Sequence, residues 1–232
     1  MIFALQKERG LTLGLKGTML SGDKKSEAKF QQELIETKKL IDSAMDKILL
    51  TEQKQSNSFH DNLDGHIDVI LSHIKTLQKG IKSETAIDLL RFEDILQKYN
   101  LTISNLILSG FHLHTWKSHH HNNHAQFFLL NAIEQMGQRR GILSFFVAAR
   151  QLVDSDKRQL VLEKRHNYDN FLEVLGGFMP EELEYSFKSL KNSKSFLQIN
   201  KIEQMVLSQV PYKELNISSY QWYNLASEHL NT

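Results

Sequence analysis

Proline is almost absent from this sequence, and this constrains the fold more than any other feature. The 232 residues include two prolines, whereas about eleven are expected at ~5% usage. Both of them, Pro180 and Pro211, lie in the last quarter of the chain. Because proline breaks helices, a chain so poor in it is free to form long helices.

Apolar residues recur at helical spacing along most of the chain, and no segment has the alternation of a convincing strand. The pattern predicts an all-α fold of about eight helices. Their approximate ranges are 3–20, 27–53, 59–77, 84–110, 125–151, 154–175, 181–208 (with a break near 191–195) and 220–230. Four of these helices precede and four follow a polar segment that we predict to lack regular secondary structure. We interpret them as two antiparallel four-helix bundles, residues 1–113 and 125–232, joined by a His-rich linker over 114–124.

Composition excludes several classes of function. The formal net charge of +1 gives the chain no overall attraction to nucleic acid or to an anionic membrane. The absence of cysteine excludes disulfides, thiolate metal sites and a cysteine nucleophile. No secretory leader or membrane-length apolar run is visible, so we expect a cytoplasmic chain. No nucleophile–base set or phosphate loop appears, so we expect neither an enzyme nor a cofactor.

Two Arg-Gly pairs occupy corresponding places, in the first helix of each predicted half. They are Arg9-Gly10 in "ALQKERGLTLG" and Arg140-Gly141 in "EQMGQRRGILS". The simplest explanation is that each guanidinium reaches water or pairs with a carboxylate such as Glu8 or Glu134. The alternative is that both hold one small anion, since the guanidinium fork matches the coplanar oxygens of nitrate or carboxylate.

The second explanation makes Arg9 and Arg140 the candidate anion-binding residues. A glycine beside an arginine lets a backbone or a ligand approach closely, and the helical period places small or polar residues on the same faces. The predicted supporting residues are Gln6, Gly10, Thr12, Gly137 and Ser144.

These segments resemble a known family. "LQKERGLTLG" is similar to the opening signature, Gln-x-Glu-Arg-Gly-Leu-Ser/Thr, of the nitrate- and nitrite-sensing (NIT) domain. "FQQELIETKKLIDSA", "EQMGQRRGIL" and "QWYNLASEHL" resemble later family segments in the right order. The resemblance spans the chain and implies two four-helix bundles whose motif arginines, here Arg9 and Arg140, bind nitrate or nitrite. Arg139 stands where the family has a carboxylate, and it either alters the anion preference or faces solvent.

The resemblance also implies signal transduction, including transcription regulation, through an output module. The chain ends at "EHLNT", about where such a module begins. We therefore expect either a sensor that acts on an output protein in trans or a sensing fragment, with a homodimer as a further expectation. Anion binding would shift the equilibrium between two relative orientations of the predicted halves. Residues 216–231 would transmit this change. Replacing Arg9 or Arg140 by alanine is expected to abolish the response without unfolding the protein.

Two other functions stay open on the sequence alone. One is a helical protein-interaction module without a ligand. The other is a metal-binding protein that uses the His-rich loop, because histidine is a common ligand for zinc, copper and nickel. The spacing matches no closed structural site. The histidines concerned are His112, His114, His119, His120, His121 and His124.

Overall fold

The computed structural model describes residues 1–55, 71–72, 74–79, 87, 90–117, 122–178, 189 and 192–231. Within these ranges every regular element is helical, so the predicted all-α class is confirmed. The elements are α1 (Ile2–Ser21), α2 (Lys24–Gln55), α3 (Phe92–Lys117), α4 (Asn122–Ala149), α5 (Ser155–Gly176), α6 (Lys194–Leu207), a 3-10 turn (Tyr212–Glu214) and α7 (Ser219–Asn231). No helix in the described ranges is both long and apolar enough to cross a membrane.

Most predicted helix positions agree with the structure to within a few residues. The predicted helix over 59–77 lies mostly outside the described residues, although residues 74–79 are helical. The predicted helix over 84–110 is interrupted in the structure: Ile87 is helical, but Leu90 and Arg91 are not, and α3 begins at Phe92. Its predicted start near residue 84 lies outside the described residues.

The segment predicted to be an irregular linker is helical wherever it is described. Helix α3 continues to Lys117, and α4 begins at Asn122. The prediction took the polar composition as a sign of irregular structure. However, His, Thr and Asn cost only a few tenths of a kcal/mol in a helix, and no proline or glycine interrupts this stretch. The division into domains at 114–124 and the two bundles remain predictions. Buried apolar side chains from both sides of this segment form one cluster.

Helices α1 and α4 lie at the centre of this cluster. Residues 8–18 of α1 and 136–149 of α4 are buried without interruption, as expected for helices that are apolar nearly all round. Helix α1 packs against α2, α3, α4 and α7, whereas α4 packs against α1, α3, α5, α6 and α7. A Cβ added at Gly17 would lie 2.5 Å from the backbone oxygen of Phe145. The glycines that weaken α1 as an isolated helix therefore let it approach α4 closely.

Candidate functional site

Each of the two arginines lies against a glycine of the facing helix. A Cβ added at Gly10 would lie 3.2 Å from Nε of Arg140, and one added at Gly137 would lie 2.8 Å from Nη2 of Arg9. The glycines therefore leave room for the arginine of the opposite helix. The structure thus brings Arg9 and Arg140, the two predicted binding residues, into one interface between α1 and α4.

Arg9 is fully buried and has a carboxylate partner. Its Nη1 donates to Oε1 of Glu134 and its Nη2 to Oε2 at 3.2 Å, a two-pronged pairing in which Glu134 is 2% exposed. Nη1 also donates to Oδ1 of Asn100 on α3 at 2.7 Å. The Glu134 oxygens accept two further bonds, from the amides of Gln6 at 2.8 Å and Gln138 at 2.9 Å. The carboxylate explanation therefore holds for Arg9, with Glu134 and not Glu8 as the partner.

This pairing corrects one expectation from the sequence. Removing one member of a buried ion pair leaves the other charge uncompensated and costs about 3–5 kcal/mol. Native domains have only about 5–15 kcal/mol of stability. We therefore expect Arg9→Ala to destabilise the fold strongly, contrary to the prediction that the protein would be left intact.

Arg140 is 4% exposed and has a different environment. Its Nη1 donates to Oγ of Ser227 at 3.0 Å and its Nη2 to the backbone oxygen of Gln6 at 2.6 Å. The guanidinium carbon lies 5.3 Å from the centre of the Tyr223 ring. Its hydrogen bonds within the described part of the chain thus go to neutral oxygens. Burial is the main cause that lowers the pKa of Arg140, and the charge of Arg9 acts in the same direction. Tyr223 and the carboxylates of Glu134 and Glu33 oppose this.

Among the predicted supporting residues, Gln6 contacts the surroundings of both arginines, whereas neither Thr12 nor Ser144 makes a described hydrogen bond to either arginine. Gln6 joins the two arginines, because its backbone oxygen accepts from Arg140 and its side-chain amide donates to the carboxylate on Arg9. Thr12 lies elsewhere, with its hydroxyl 3.2 Å from that of Tyr99 on α3. Ser144 is fully buried, and its hydroxyl has no hydrogen-bond partner among the described residues.

Arg139 does not face solvent, which excludes one of the two alternatives that the sequence left for it. It is 1% exposed and donates from Nε and Nη2 to Oε2 of Glu203 on α6, the first of these at 3.1 Å. Nη1 of Arg165 lies 3.6 Å from the other oxygen of Glu203. A carboxylate from α6 therefore neutralises Arg139 and ties α4 to α6.

Glu8, the residue before Arg9 on α1, is a buried carboxyl. Neither of its oxygens makes a hydrogen bond of normal geometry among the described residues. Burial raises the pKa of Glu8 to about 7, although the charge of Lys38 and the Tyr99 hydroxyl partly oppose this. The carboxyl beside Arg9 therefore takes up a proton near neutral pH.

Arg140 also lines a cleft of about 560 Å³ between α1, α2 and α7. Tyr223 and Ser227 line it beside the guanidinium, and the apolar side chains of Phe3 and Leu40 line it farther out. A planar anion that entered this cleft would meet a buried cation. Arg140 thus borders a cleft, whereas the Glu134 carboxylate occupies the guanidinium fork of Arg9.

Sequence reasoning missed several residues of this site. Asn100, Tyr223 and Ser227 bind or contact the two arginines, and Gln138 donates to Glu134, the partner of Arg9. Tyr223 and Ser227 are four positions apart on α7, inside the closing segment "QWYNLASEHL". The spacing places both side chains on one helical face, a signal that could have identified them. No local pattern distinguishes Asn100.

The metal-binding alternative rests mainly on residues outside the description. His119, His120 and His121 are among these, and of the six histidines only His124 has a described side chain. Its ring packs against Phe111 and Phe178. Among the described side chains, no three potential metal ligands are grouped together.

Comparison with known proteins gave one result. Searches of curated proteins and of solved structures returned no match. The family model described as "Nitrate and nitrite sensing" matches residues 1–232, the whole chain. The protein therefore belongs to the nitrate- and nitrite-sensing (NIT) family.

Proposed function

We propose that this domain senses nitrate or nitrite at the α1–α4 interface, where Arg140 binds the anion and Arg9 is the second arginine of the site. The observation that carries the proposal is the state of Arg140. It is a buried guanidinium at a cleft, and its hydrogen bonds go to neutral oxygens. The family match supports nitrate or nitrite as the ligand.

The energetics favour an anion at Arg140. A buried charge whose hydrogen bonds go to neutral oxygens is costly. Glu134 and Glu33 offset part of that cost without bonding to it, and a planar oxyanion in the cleft offsets more of it. Each charge-assisted hydrogen bond contributes about 1.5–3 kcal/mol. After the losses of association are subtracted, two such bonds support binding in the micromolar to millimolar range.

Arg9 joins the site only if its pair with Glu134 opens. This gives two states: in one, Glu134 occupies the guanidinium fork of Arg9, and in the other, the anion lies between both arginines. Gln6 connects them, since it binds Arg140 through its backbone and Glu134 through its side chain. Nitrate shifts the population only by the difference between its affinities for the two states.

Helix α7 is the proposed route of the signal. Tyr223 and Ser227 on α7 contact the Arg140 guanidinium directly. An anion that replaces Ser227 as an acceptor changes how α7 packs on α4. We propose that a cytoplasmic output protein in trans, or a regulator of transcription, reads this change, and that the sensor acts as a homodimer.

The test is thermal unfolding in sodium nitrate, nitrite, chloride and sulfate at matched ionic strength. A ligand that binds only the folded state stabilises it by about 2.7 kcal/mol at a hundred times its Kd. We expect nitrate or nitrite to raise the Tm and chloride to leave it unchanged. Arg140→Gln removes the rise. Equal curves in all four salts would contradict the proposal.

The role of Arg9 needs a separate variant, because Arg9→Ala alone leaves Glu134 unpaired. The double variant Arg9→Gln/Glu134→Gln removes both charges of the pair and keeps amides that can bond one another. If Arg9 shares the anion, the nitrate-induced rise in Tm shrinks in this variant. A full-sized rise would assign the anion to Arg140 alone.

A further inference from the structure

The cleft beside Arg140 is much larger than nitrate. Its volume is about 560 Å³, whereas an ion of four heavy atoms fills about 60 Å³, the share of two water molecules. Clefts of about 300–1,000 Å³ are typical of sites for organic small molecules. Nitrate on Arg140 thus leaves most of the cleft unused.

The two ends of the cleft differ in chemistry. At the inner end are the Arg140 guanidinium and the hydroxyl of Ser227. The outer walls carry Phe3, Ala4, Leu40 and Ala44. Phe3 is 52% exposed and Leu40 is 59% exposed, so these walls present apolar surface to whatever enters. The arrangement matches a ligand with an anionic head and an apolar tail.

We propose that the cleft binds a small organic monocarboxylate, with the carboxylate on Arg140 and a tail of roughly four to eight carbons against Phe3 and Leu40. The inference rests on the proposed function in one respect, the assignment of Arg140 as the anion-binding group. Carboxylate fits there for the same reason as nitrate, since both present coplanar oxygens to the guanidinium fork.

The acidic residues of the cleft restrict the ligand to one negative charge. Glu33 and Glu228 both line it, as does one lysine, Lys7. Glu33 is partly neutralised, because Nζ of Lys7 lies 3.7 Å from its Oε2 and the Tyr220 hydroxyl donates to its Oε1 at 2.8 Å. Glu228 is exposed at the rim. A second carboxylate on the ligand would meet these groups, so dicarboxylates bind more weakly than monocarboxylates of equal length.

Calorimetric titration of the protein tests this with acetate, butanoate, hexanoate and hexanedioate, alongside nitrate and 1-hexanol. We expect Kd to fall about two- to fourfold for each added methylene, from acetate to hexanoate, as apolar surface is buried. Hexanedioate gains nothing over acetate, and hexanol does not bind.

Two variants locate the effect. Arg140→Gln loses binding of every acid. Leu40→Ser, at a largely exposed position that tolerates substitution, removes most of the gain in affinity from acetate to hexanoate measured in the same variant. Equal Kd values for acetate and hexanoate in the unmodified protein, or hexanoate binding that survives Arg140→Gln, would overturn the inference.

The same experiment separates this inference from the proposed function. If hexanoate binds through Arg140 and nitrate does not bind, the nitrate proposal fails and the carboxylate site stands. If nitrate binds and chain length has no effect, the carboxylate inference fails and the nitrate proposal stands. Absence of binding by all anions overturns both.

Discussion

Arg9 and Arg140 have the same local sequence context, an arginine followed by glycine in a buried helix, yet their environments differ. Arg9 donates both arms of its fork to Glu134 and receives further support from Asn100. Arg140, on the facing helix, donates to a hydroxyl and a backbone carbonyl. A carboxylate within the fold neutralises Arg9, whereas Arg140 lines a cleft.

The difference comes from the helices that cover each side of the interface. Helix α4 itself supplies the carboxylate for Arg9, whereas α7 covers Arg140 with the ring of Tyr223 and the hydroxyl of Ser227. A buried ion pair holds a structure in one arrangement, but a buried cation with neutral partners favours binding of an anion. An arginine motif thus gains its function from its tertiary partners.

The largest expected effect separates the two arginines by stability. Arg9→Gln leaves the Glu134 carboxylate buried without a cation, so the free energy of unfolding falls by about 3–5 kcal/mol. Arg140→Gln loses hydrogen bonds to neutral acceptors worth about 1 kcal/mol each, and removal of a buried charge offsets part of that loss. Urea unfolding of both variants measures the difference. Equal losses would show that Arg140 is as firmly paired as Arg9.

The sequence predicts more of the fold than of the site. Helical periodicity and the lack of proline are local properties, and they place α1, α2, α4 and α5 to within a few residues. The echo of the Arg-Gly pair also identified both arginines. Their partners are set by tertiary packing: Asn100 is 91 positions from Arg9, and Glu203 is 64 positions from Arg139. No local pattern shows that these residues meet, which is why the sequence left open whether Arg139 faces solvent.

The second prediction concerns pH and the buried carboxyl of Glu8 on α1. The pKa of Glu8 is about 7 in the fold against an ordinary value of 4.5, so the folded state binds the proton more tightly. Stability is then highest below pH 4.5 for this group and falls as pH rises to 7. The expected loss is roughly 3 kcal/mol, at 1.36 kcal/mol per pKa unit.

Glu8→Gln is the matched control, because its amide stays neutral and both arginines remain in place. In this variant, the free energy of unfolding measured from pH 4.5 to 7.5 no longer shows the decrease that Glu8 causes. A pH dependence identical to that of the unmodified protein would rule Glu8 out as the titrating group.

The third prediction uses the two glycines that face the arginines. Gly10→Ala forces a methyl group to within 2.8 Å of the Tyr223 ring, next to Arg140, whereas Gly137→Ala forces one to within 2.8 Å of Nη2 of Arg9. Each overpacked variant loses about 1–3 kcal/mol of stability. The nitrate-induced rise in Tm shrinks more in Gly10→Ala, because that change disturbs the Arg140 side.

A third glycine supplies the control for this pair. A Cβ at Gly110 of α3 meets no atom within 4 Å, so Gly110→Ala gains about 1 kcal/mol of helix stability and keeps the full nitrate response. A greater loss of response in Gly137→Ala than in Gly10→Ala would reverse the assignment of the two arginines.

The smallest expected effect tests whether the anion replaces Ser227 at Arg140. Ser227→Ala removes the hydroxyl that accepts from Nη1 at 3.0 Å, so the ligand-free variant loses about 0.5–1.5 kcal/mol of stability. If nitrate takes over that N–H group, the deficit disappears at saturating nitrate, and the variant then unfolds with the same free energy as the unmodified protein. A deficit that is equal with and without nitrate would mean that Ser227 keeps its bond in the bound state. Helix α7 would then have no direct part in sensing, and the signal would have to leave through the Arg9–Glu134 pair and α3.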